Sequence, residues 1–211
     1  EHGITPNPQY AYIVTNYYDS GDIFDRVSRK RIKDVNFVKA VIYQVLLALK
    51  ALSDKNIIHN LVTPANIIIE DEKSTKALLS GFKFAQILPP GETTSTNVDG
   101  CYQYMPPDKL RGLPYDVSSD MWALGITVYV IFARKLPFHI DHKVDVSQRN
   151  VLDKILANRL EFDHHAFYSI SETCIDFIQR LLEKDHRYRM TIPEALHQPW
   201  FDDLDPSFKE E

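Results

Sequence analysis

The chain has 211 residues, which is long enough to bury one large hydrophobic core or two small ones. Apolar residues make up 44% and charged residues 25%, as in a soluble globular protein, and the net charge of −5 argues against nucleic acid or anionic membranes as partners. Two cysteines far apart, Cys101 and Cys174, indicate a reducing, intracellular compartment rather than a disulfide scaffold. The polar start predicts no signal peptide. No apolar run is expected to span a membrane, and the nearest candidate is Met121–Phe132.

The first part of the chain predicts a strand and two helices. The aromatic and β-branched residues of Tyr10–Thr15 are typical of a strand, and Asp22–Ser28 predicts a short helix. Asp34 predicts the cap of a long helix that runs to about Ser53, because the apolar residues after it recur at steps of three and four.

A polar turn lies between two apolar runs in the next stretch. The runs Ile57-Ile58 and Ile67–Ile69 predict short strands, and Lys76–Ser80 predicts a third strand that pairs with the second run. A turn held between two buried strands is a common frame for a catalytic loop. However, there is no Asp, Glu, Lys or Arg between His59 and Asn66, so this frame lacks charged chemistry.

The second half of the chain predicts mostly helices. Gly81–Pro114 is rich in Pro and Gly and predicts a long irregular stretch. A cap at Ser118 or Ser119 predicts a helix to about Ala133, and its nearly continuous apolar sequence indicates burial on every side. The acidic tail Asp202–Glu211 is expected to fray. Three further helices are predicted: Ser147–Ala157, one capped by Ser171, and one with a capping box at Thr191 and Glu194.

Several segments match the motifs of one family in order and spacing. They are His59…Pro64…Asn66 (as in HRDLKPEN), Gly81-Phe82-Lys83 (DFG), Gly100–Asp108 (GTPEYMAPE), Tyr115–Gly125, Leu136-Pro137-Phe138 and Leu181–Phe201. From about Tyr12 to Phe201 the chain therefore resembles the large lobe of a eukaryotic protein kinase. The resemblance is nearest to the calcium/calmodulin-regulated and calcium-dependent kinases.

This resemblance implies a mainly α fold, a kinase-like C-lobe. The expected architecture is a helical bundle around a buried central helix with a short β-ribbon, and the small lobe is expected to be absent from this chain. The implied divisions are residues 1–20 as the end of the small lobe and a hinge, 21–201 as the large lobe, and 202–211 as an acidic tail.

The same resemblance predicts no catalytic residues, because phosphoryl transfer needs a base, metal ligands and a cation on the phosphates. Leu61 takes the place of the catalytic Asp, and Gly81 that of the metal-binding Asp. Of the metal ligands only Asn66 is retained. The chain is therefore expected to be no enzyme but a pseudokinase without cofactor, metal or magnesium-ATP. The degenerate positions are Asn60, Leu61, Thr63, Gly81 and Lys83.

Other matching residues are implied to be structural. His59 is expected to be a core histidine packed on Phe82, and Asp120 to accept the amides of the catalytic loop. Asp108 and Arg189 are expected to form an internal ion pair, and Trp122 to pack in the core. Lys83 is either a solvated surface lysine or a cation that takes the place of the missing metal. The cluster Thr93–Thr96 is either an ordinary loop or a site of phosphorylation.

The function expected from the resemblance is protein binding, as a scaffold or structural subunit of a larger assembly. The candidate surfaces are the groove around Ser147–Arg159 and the activation segment. Two alternatives stay open: a residual nucleotide binder or atypical transferase, and a C-lobe fragment of a regulator that controls an active enzyme. The expected location is intracellular, in the cytoplasm or at the cytoskeleton, with no nucleic acid or membrane as a partner.

Overall fold

The computed structural model of the chain describes residues 12–28, 34–71, 74–141, 146–162 and 164–209. Helix α1 spans Ile23–Ser28, and helix α2 spans Val35–Ser53. Asp34 begins α2 as predicted, because its side chain accepts a hydrogen bond from the amide of Asn36 at 2.8 Å. Most of the apolar side chains of α2 are buried, so this helix packs a long face into the core.

Four short strands form two antiparallel ribbons. Strand β1 (Ile57–Ile58) pairs with β4 (Gln86–Ile87), and β2 (Ile67–Ile69) pairs with β3 (Ala77–Leu79). The β2–β3 ribbon is predicted by the sequence, whereas the partner of β1 is not. Together the ribbons fix both ends of the loop of residues 59–66.

The strand predicted over Tyr10–Thr15 is wrong where the structure describes it. Residues 12–15 are irregular, and the first two residues of the prediction lie outside the described residues. Their β-branched side chains are exposed, with Ile13 at 83% and Val14 at 76%. Strand propensity depends on burial against neighbouring strands, so the composition of this stretch does not suffice to form one.

Helix α4 (Ser118–Ala133) runs through the centre of the protein, after the short helix α3 (Pro107–Leu110). Every residue of α4 from position 119 to 131 is buried, as its apolar sequence predicts. The predicted cap is wrong: Ser118 and Ser119 are already helical, and the side chain of Asp116 accepts the hydrogen bond from the Ser118 amide at 2.8 Å. An Asp two residues before the helix thus satisfies an amide that has no helical partner.

The remaining helices surround α4. They are α5 (Gln148–Ala157), α6 (His164–Phe167), α7 (Glu172–Leu181) and α8 (Ile192–Leu196). The cap at Ser171 and the capping box at Thr191 are confirmed, and Ser147 caps α5 just before the helix begins. Helices α4 and α7 approach closely at Gly125, where a Cβ would lie 2.8 Å from the Cβ of Leu181.

The tail is ordered over residues 202–209, so the expectation of fraying is wrong there. Asp203 forms an ion pair with Lys39 of α2, and Leu204 is 7% exposed. A 3₁₀ turn at Pro206–Phe208 brings Phe208 against the core. These contacts tie the end of the described chain to its first long helix.

Helix α2, and not Met121–Phe132, is the segment that comes nearest to a membrane-spanning helix. By length and composition Val35–Ser53 could cross a membrane, and half of its most apolar window is buried inside the protein. A core helix passes the same test, so this is weak evidence for a membrane segment. The described residues of the chain are mainly helical with few strands, as the sequence predicts.

Candidate functional site

The loop of residues 59–66 is held from below by the central helix. Asp120 of α4 accepts hydrogen bonds from the amides of His59 at 2.7 Å and Asn60 at 2.8 Å. Thr127, about two turns further along the same face of α4, donates its hydroxyl to the carbonyl of Val62 at 2.8 Å. Burial raises the pKa of the Asp120 carboxyl to about 6, although both amide hydrogen bonds act against this shift. The loop therefore keeps its shape through α4.

His59 uses both ring nitrogens to hold the loop. Its Nε2 lies 2.9 Å from the carbonyl of Ser80, and its Nδ1 accepts from the amide of Leu61 at 3.2 Å. This pairing requires the neutral ring with the proton on Nε2, and burial lowers the pKa of the imidazole accordingly. The ring meets that of Phe82 edge-on at 4.8 Å. In this geometry His59 supports the loop and has no nitrogen left for proton transfer.

Asn60 connects the loop to its surroundings from a left-handed backbone conformation, with φ at 63°. Its Nδ2 donates to the carbonyl of Phe84 at 3.0 Å, and its Oδ1 accepts from Nζ of Lys109 at 2.7 Å. Lys109 is 1% exposed, and burial lowers the pKa of its amine to about 8. The sequence reasoning missed Lys109, which follows Pro-Pro-Asp directly and carries no local signal of burial.

Asn66 and Gly81 meet at the place where the kinase resemblance puts metal ligands. A Cβ on Gly81 would lie 2.3 Å from both Cγ and Oδ1 of Asn66, and the φ of Gly81 is +82°. The Asn66 amide donates to the carbonyl of Leu61 at 2.8 Å. Leu61 is half-buried, and Thr63 is 8% exposed. The structure thus brings Leu61, Asn66 and Gly81 together without a carboxylate among them.

These donors do not fit a magnesium ion. Magnesium is bound in proteins through carboxylates and phosphate oxygens, and Asn66 offers one amide oxygen here. Across the part of the chain that the structure describes, no three His, Cys, Asp or Glu side chains are grouped so as to hold a metal ion.

Lys83 lies on the surface, with its ammonium 5.1 Å from the centre of the Phe84 ring. A cation over an aromatic face at an exposed site contributes about 0.5–1 kcal/mol. This contact is consistent with the interpretation of Lys83 as a surface lysine. It does not support the alternative that Lys83 takes the place of a metal ion.

Asp108 of α3 and Arg189 form the expected internal ion pair. Their closest atoms are 3.0 Å apart, and the two side chains are 6% and 0% exposed. Arg189 also donates to the carbonyls of Glu183 and Ser118, and its guanidinium lies over the ring of Trp122 at 5.1 Å. The second carboxylate oxygen of Asp108 is buried without a hydrogen-bond partner. This pair is separate from the loop of residues 59–66 and supports it indirectly.

Comparison with known proteins matches the sequence of most of the chain. The model of the protein kinase domain family matches residues 2–201. The chain is 28% identical over 193 residues to calcium/calmodulin-dependent protein kinase type 1 of Caenorhabditis briggsae, covering 91% of this chain and 52% of the relative. It is 27% identical over 194 residues to the protein of the same name from Macrobrachium nipponense, covering 91% and 54%. The chain thus spans about half the length of these relatives.

These findings overturn the expectation that the chain is not an enzyme. A family model that covers nearly the whole chain, together with relatives named as kinases, points to a kinase enzyme. The expectation was wrong because it weighed the side chains at a few positions, from Asn60 to Lys83, against the pattern of the entire chain. The absence of the small lobe and the division into residues 1–20, 21–201 and 202–211 stay predictions. The chain belongs to the protein kinase domain family and is similar within it to the calcium/calmodulin-dependent kinases.

Proposed function

We propose that this chain is the large helical lobe of a kinase-family protein and that it binds a protein partner through a groove beside α3. The observation that carries this proposal is the groove itself, with a volume of about 470 Å³. Its apolar lining consists of Pro107, Leu113 and Leu156. The two leucines are 47% and 43% exposed, and leucines exposed around a concave surface favour coverage by a partner.

The charges around the groove favour an acidic partner. Arg111, Lys184 and Arg187 line it, although the protein as a whole carries a net charge of −5. Of its two carboxylates, Asp185 is engaged by Arg187, whose Nε donates to it at 2.9 Å, and Asp108 is engaged outside the lining. Lys184 donates to the carbonyl of Asn158 at 2.8 Å, which leaves Arg111 as the cation that an acidic partner would meet in the groove.

The occupant that fits is an extended protein segment in which apolar and acidic side chains alternate. Its apolar side chains would cover the leucines, and its carboxylates would reach Arg111. Leu156 lies on α5, within the surface around Ser147–Arg159 that the sequence indicates as a candidate for binding. The proposal therefore places the partner on one continuous face formed by α3 and α5.

A direct binding measurement tests this function. The probe is a fluorescent peptide of alternating Leu and Glu, followed by anisotropy, and the matched peptide carries Lys in place of Glu. We expect saturable binding of the acidic peptide alone, weakened at least about tenfold by Arg111→Glu and by added salt. Lys55→Glu is the control, because Lys55 is exposed and lies outside both the groove and α5. Equal binding of both peptides, or an equal loss in both variants, contradicts the proposal.

Phosphoryl transfer is the second candidate, because the family match favours it. The chain contributes Asn66 to that chemistry and no carboxylate at positions 61 and 81. The test is the shift of the melting temperature by ATP, with and without magnesium, together with transfer of labelled phosphate to a protein substrate. A magnesium-dependent shift and phosphate transfer that are both lost in Asn66→Ala would establish phosphoryl transfer as the function, and the absence of both from the wild type would exclude it for this chain.

The remaining parts of the proposal follow from the same family. A small lobe is proposed to lie outside this chain, and the location is proposed to be intracellular. The partner is proposed to be a protein within a larger complex, and regulation of an active enzyme in that complex is the alternative role. Fractionation of the complex and identification of its subunits test these points together.

A further inference from the structure

A buried lysine connects two segments that are distant in the chain. Lys109 on α3 is 1% exposed, and its Nζ donates to Oδ1 of Asn60 at 2.7 Å and to the carbonyl of Asp99 at 2.9 Å. The ammonium also lies 4.4 Å from the centre of the Tyr115 ring. Asn60 belongs to the catalytic loop, whereas Asp99 belongs to residues 95–106, called the activation segment below.

The burial of this amine is costly, so its contacts have to compensate. A lysine is rarely buried unless charged or polar groups meet it. Here Asp120, Asp99 and Asp108 supply negative charge around the ammonium. The side-chain oxygen of Asn60 and the carbonyl oxygen of Asp99 accept hydrogen bonds from it. These contacts make Lys109 a cross-link between the loop and the activation segment.

The activation segment approaches the loop closely at the same point. A Cβ on Gly100 would lie 2.8 Å from the carbonyl oxygen of Asn60, and the φ of Gly100 is +129°. Ser95 and Tyr115 exchange two backbone hydrogen bonds of 2.8 Å, and the Tyr115 hydroxyl donates to the carbonyl of Asn97 at 2.7 Å. The first half of the segment, residues 95–100, is thus held against Tyr115 and the loop, and the lysine contacts it at Asp99.

We propose that Lys109 is the positioning residue that holds the activation segment against the catalytic loop. From α3 its amine reaches both Asn60 of the loop and Asp99 of the segment, and so joins the two. Because the cation comes from α3 and its acceptors are part of the chain, the segment is docked without a phosphate group. Phosphorylation within Thr93–Thr96 is therefore not needed to order residues 95–106.

The reaction of Cys101 with a thiol reagent measures this docking in the full chain. Cys101 lies within the segment and is partly exposed, whereas Cys174 is buried in α7 and serves as the internal reference for unfolding. Lys109→Met keeps the length of the side chain and removes its amine. We expect Cys101 to react at least about tenfold faster in this variant, with Cys174 unchanged and faster hydrogen exchange confined to residues 95–106.

A second variant covers the case in which Lys109→Met does not fold. Asn60→Gly removes the acceptor and tolerates the positive φ of this position, and it is expected to speed the reaction of Cys101 as well. Because Lys109→Met already removes the contact with Asn60, the double variant should be no faster than Lys109→Met alone. Lys83→Met, at an exposed lysine, is the control and should leave the rate unchanged.

The result that would overturn the proposal is equally specific. Wild-type rates in both Lys109→Met and Asn60→Gly would show that the contact does not hold the segment. An equal increase at Cys101 and Cys174 would show a general loss of stability instead of local release. Treatment of the wild-type protein with a phosphatase is expected to leave the Cys101 rate unchanged, and an increase would show that a phosphate anchors the segment.

Discussion

The side chain of Asn66 occupies the space next to Gly81 so closely that a Cβ on Gly81 would lie 2.3 Å from its Cγ. Real Cβ atoms do not approach other atoms this closely, so the position of the Asn66 side chain requires a glycine at residue 81. The residue that the family resemblance assigns to metal binding is used here to close the loop, since its amide donates to Leu61.

Gly81→Ala should therefore destabilise the protein by more than its backbone conformation alone explains. A non-glycine residue at positive φ costs about 1 kcal/mol, and the contact with Asn66 adds to it. Gly91→Ala is the matched control, because its φ is +87° and nothing lies within 4 Å of its Cβ position. We expect the free energy of unfolding, measured with urea, to fall by about 2–3 kcal/mol for Gly81→Ala and about 1 kcal/mol for Gly91→Ala. Equal losses in the two variants would show that Asn66 moves aside freely.

Asp120→Ala should be among the more harmful changes near the loop. It leaves the amides of His59 and Asn60 buried without their acceptor, at a cost of about 1–3 kcal/mol. Asp176→Ala, at an exposed position of α7, is the control and is expected to change stability little. Chemical denaturation measures both. If Asp120→Ala is as stable as the wild type, the loop does not depend on α4 for its shape.

The titration of Asp120 also predicts a dependence of stability on pH. Its folded pKa of about 6 lies above the ordinary value of 3.8, so the folded state holds the proton more tightly than the unfolded state. The contribution of this group is complete below about pH 3.8 and is lost as the pH rises through 6. Relative to Asp120→Asn, the wild type should thus lose free energy of unfolding between pH 4 and 7. The same slope in both proteins would contradict the raised pKa.

Lys109 predicts a change of the opposite sign at alkaline pH. Its folded pKa of about 8 lies below the ordinary 10.5, so its contribution to stability is present above pH 10.5 and is lost as the pH falls through 8. The wild type should therefore gain stability relative to Lys109→Met between pH 8 and 10. Comparison of the two proteins cancels the tyrosines and cysteines, which they share. A constant difference over this range would show that the amine does not titrate there.

Asp108→Ala should lower the free energy of unfolding more than the loss of a surface ion pair does, because it leaves the charge of Arg189 buried and unpaired. Removal of one partner from a buried ion pair typically costs about 3–5 kcal/mol. The matched change is Asp185→Ala, which breaks the exposed pair with Arg187 and should leave stability nearly unchanged. Denaturant midpoints measure both variants. A small loss in Asp108→Ala would show that the carbonyls around Arg189 satisfy it alone.

Sequence reasoning succeeded where local chemistry decides the structure. The caps at Asp34 and Ser171 are local hydrogen bonds, and the apolar pattern of α4 shows directly that it is buried. It failed at Ser118, because a competing Asp two residues earlier reaches the same amide.

The site was predictable in its frame but not in its contacts. The positions of His59, Asn66 and Gly81 follow from motif spacing. The contact of Asn66 with Gly81 does not, because it is possible only where residue 81 has no Cβ. Lys109 was missed because its partners Asn60 and Asp99 are remote in the chain, and a lysine in a sequence predicts a surface position.

The contacts between α2 and the segment that follows α8 have a consequence for the order of events during synthesis. Tyr43 of α2 meets Phe201 at 5.2 Å between ring centres, and Lys39 pairs with Asp203. The ribosome makes these partners about 160 residues after the helix that they cover, at about 5–20 residues per second. For about 8–30 seconds after its synthesis, the long apolar helix therefore exposes to solvent the surface that these residues later cover. Chaperone binding to the nascent chain is thus expected to begin at α2 and to end when residues 201–208 have left the ribosomal tunnel.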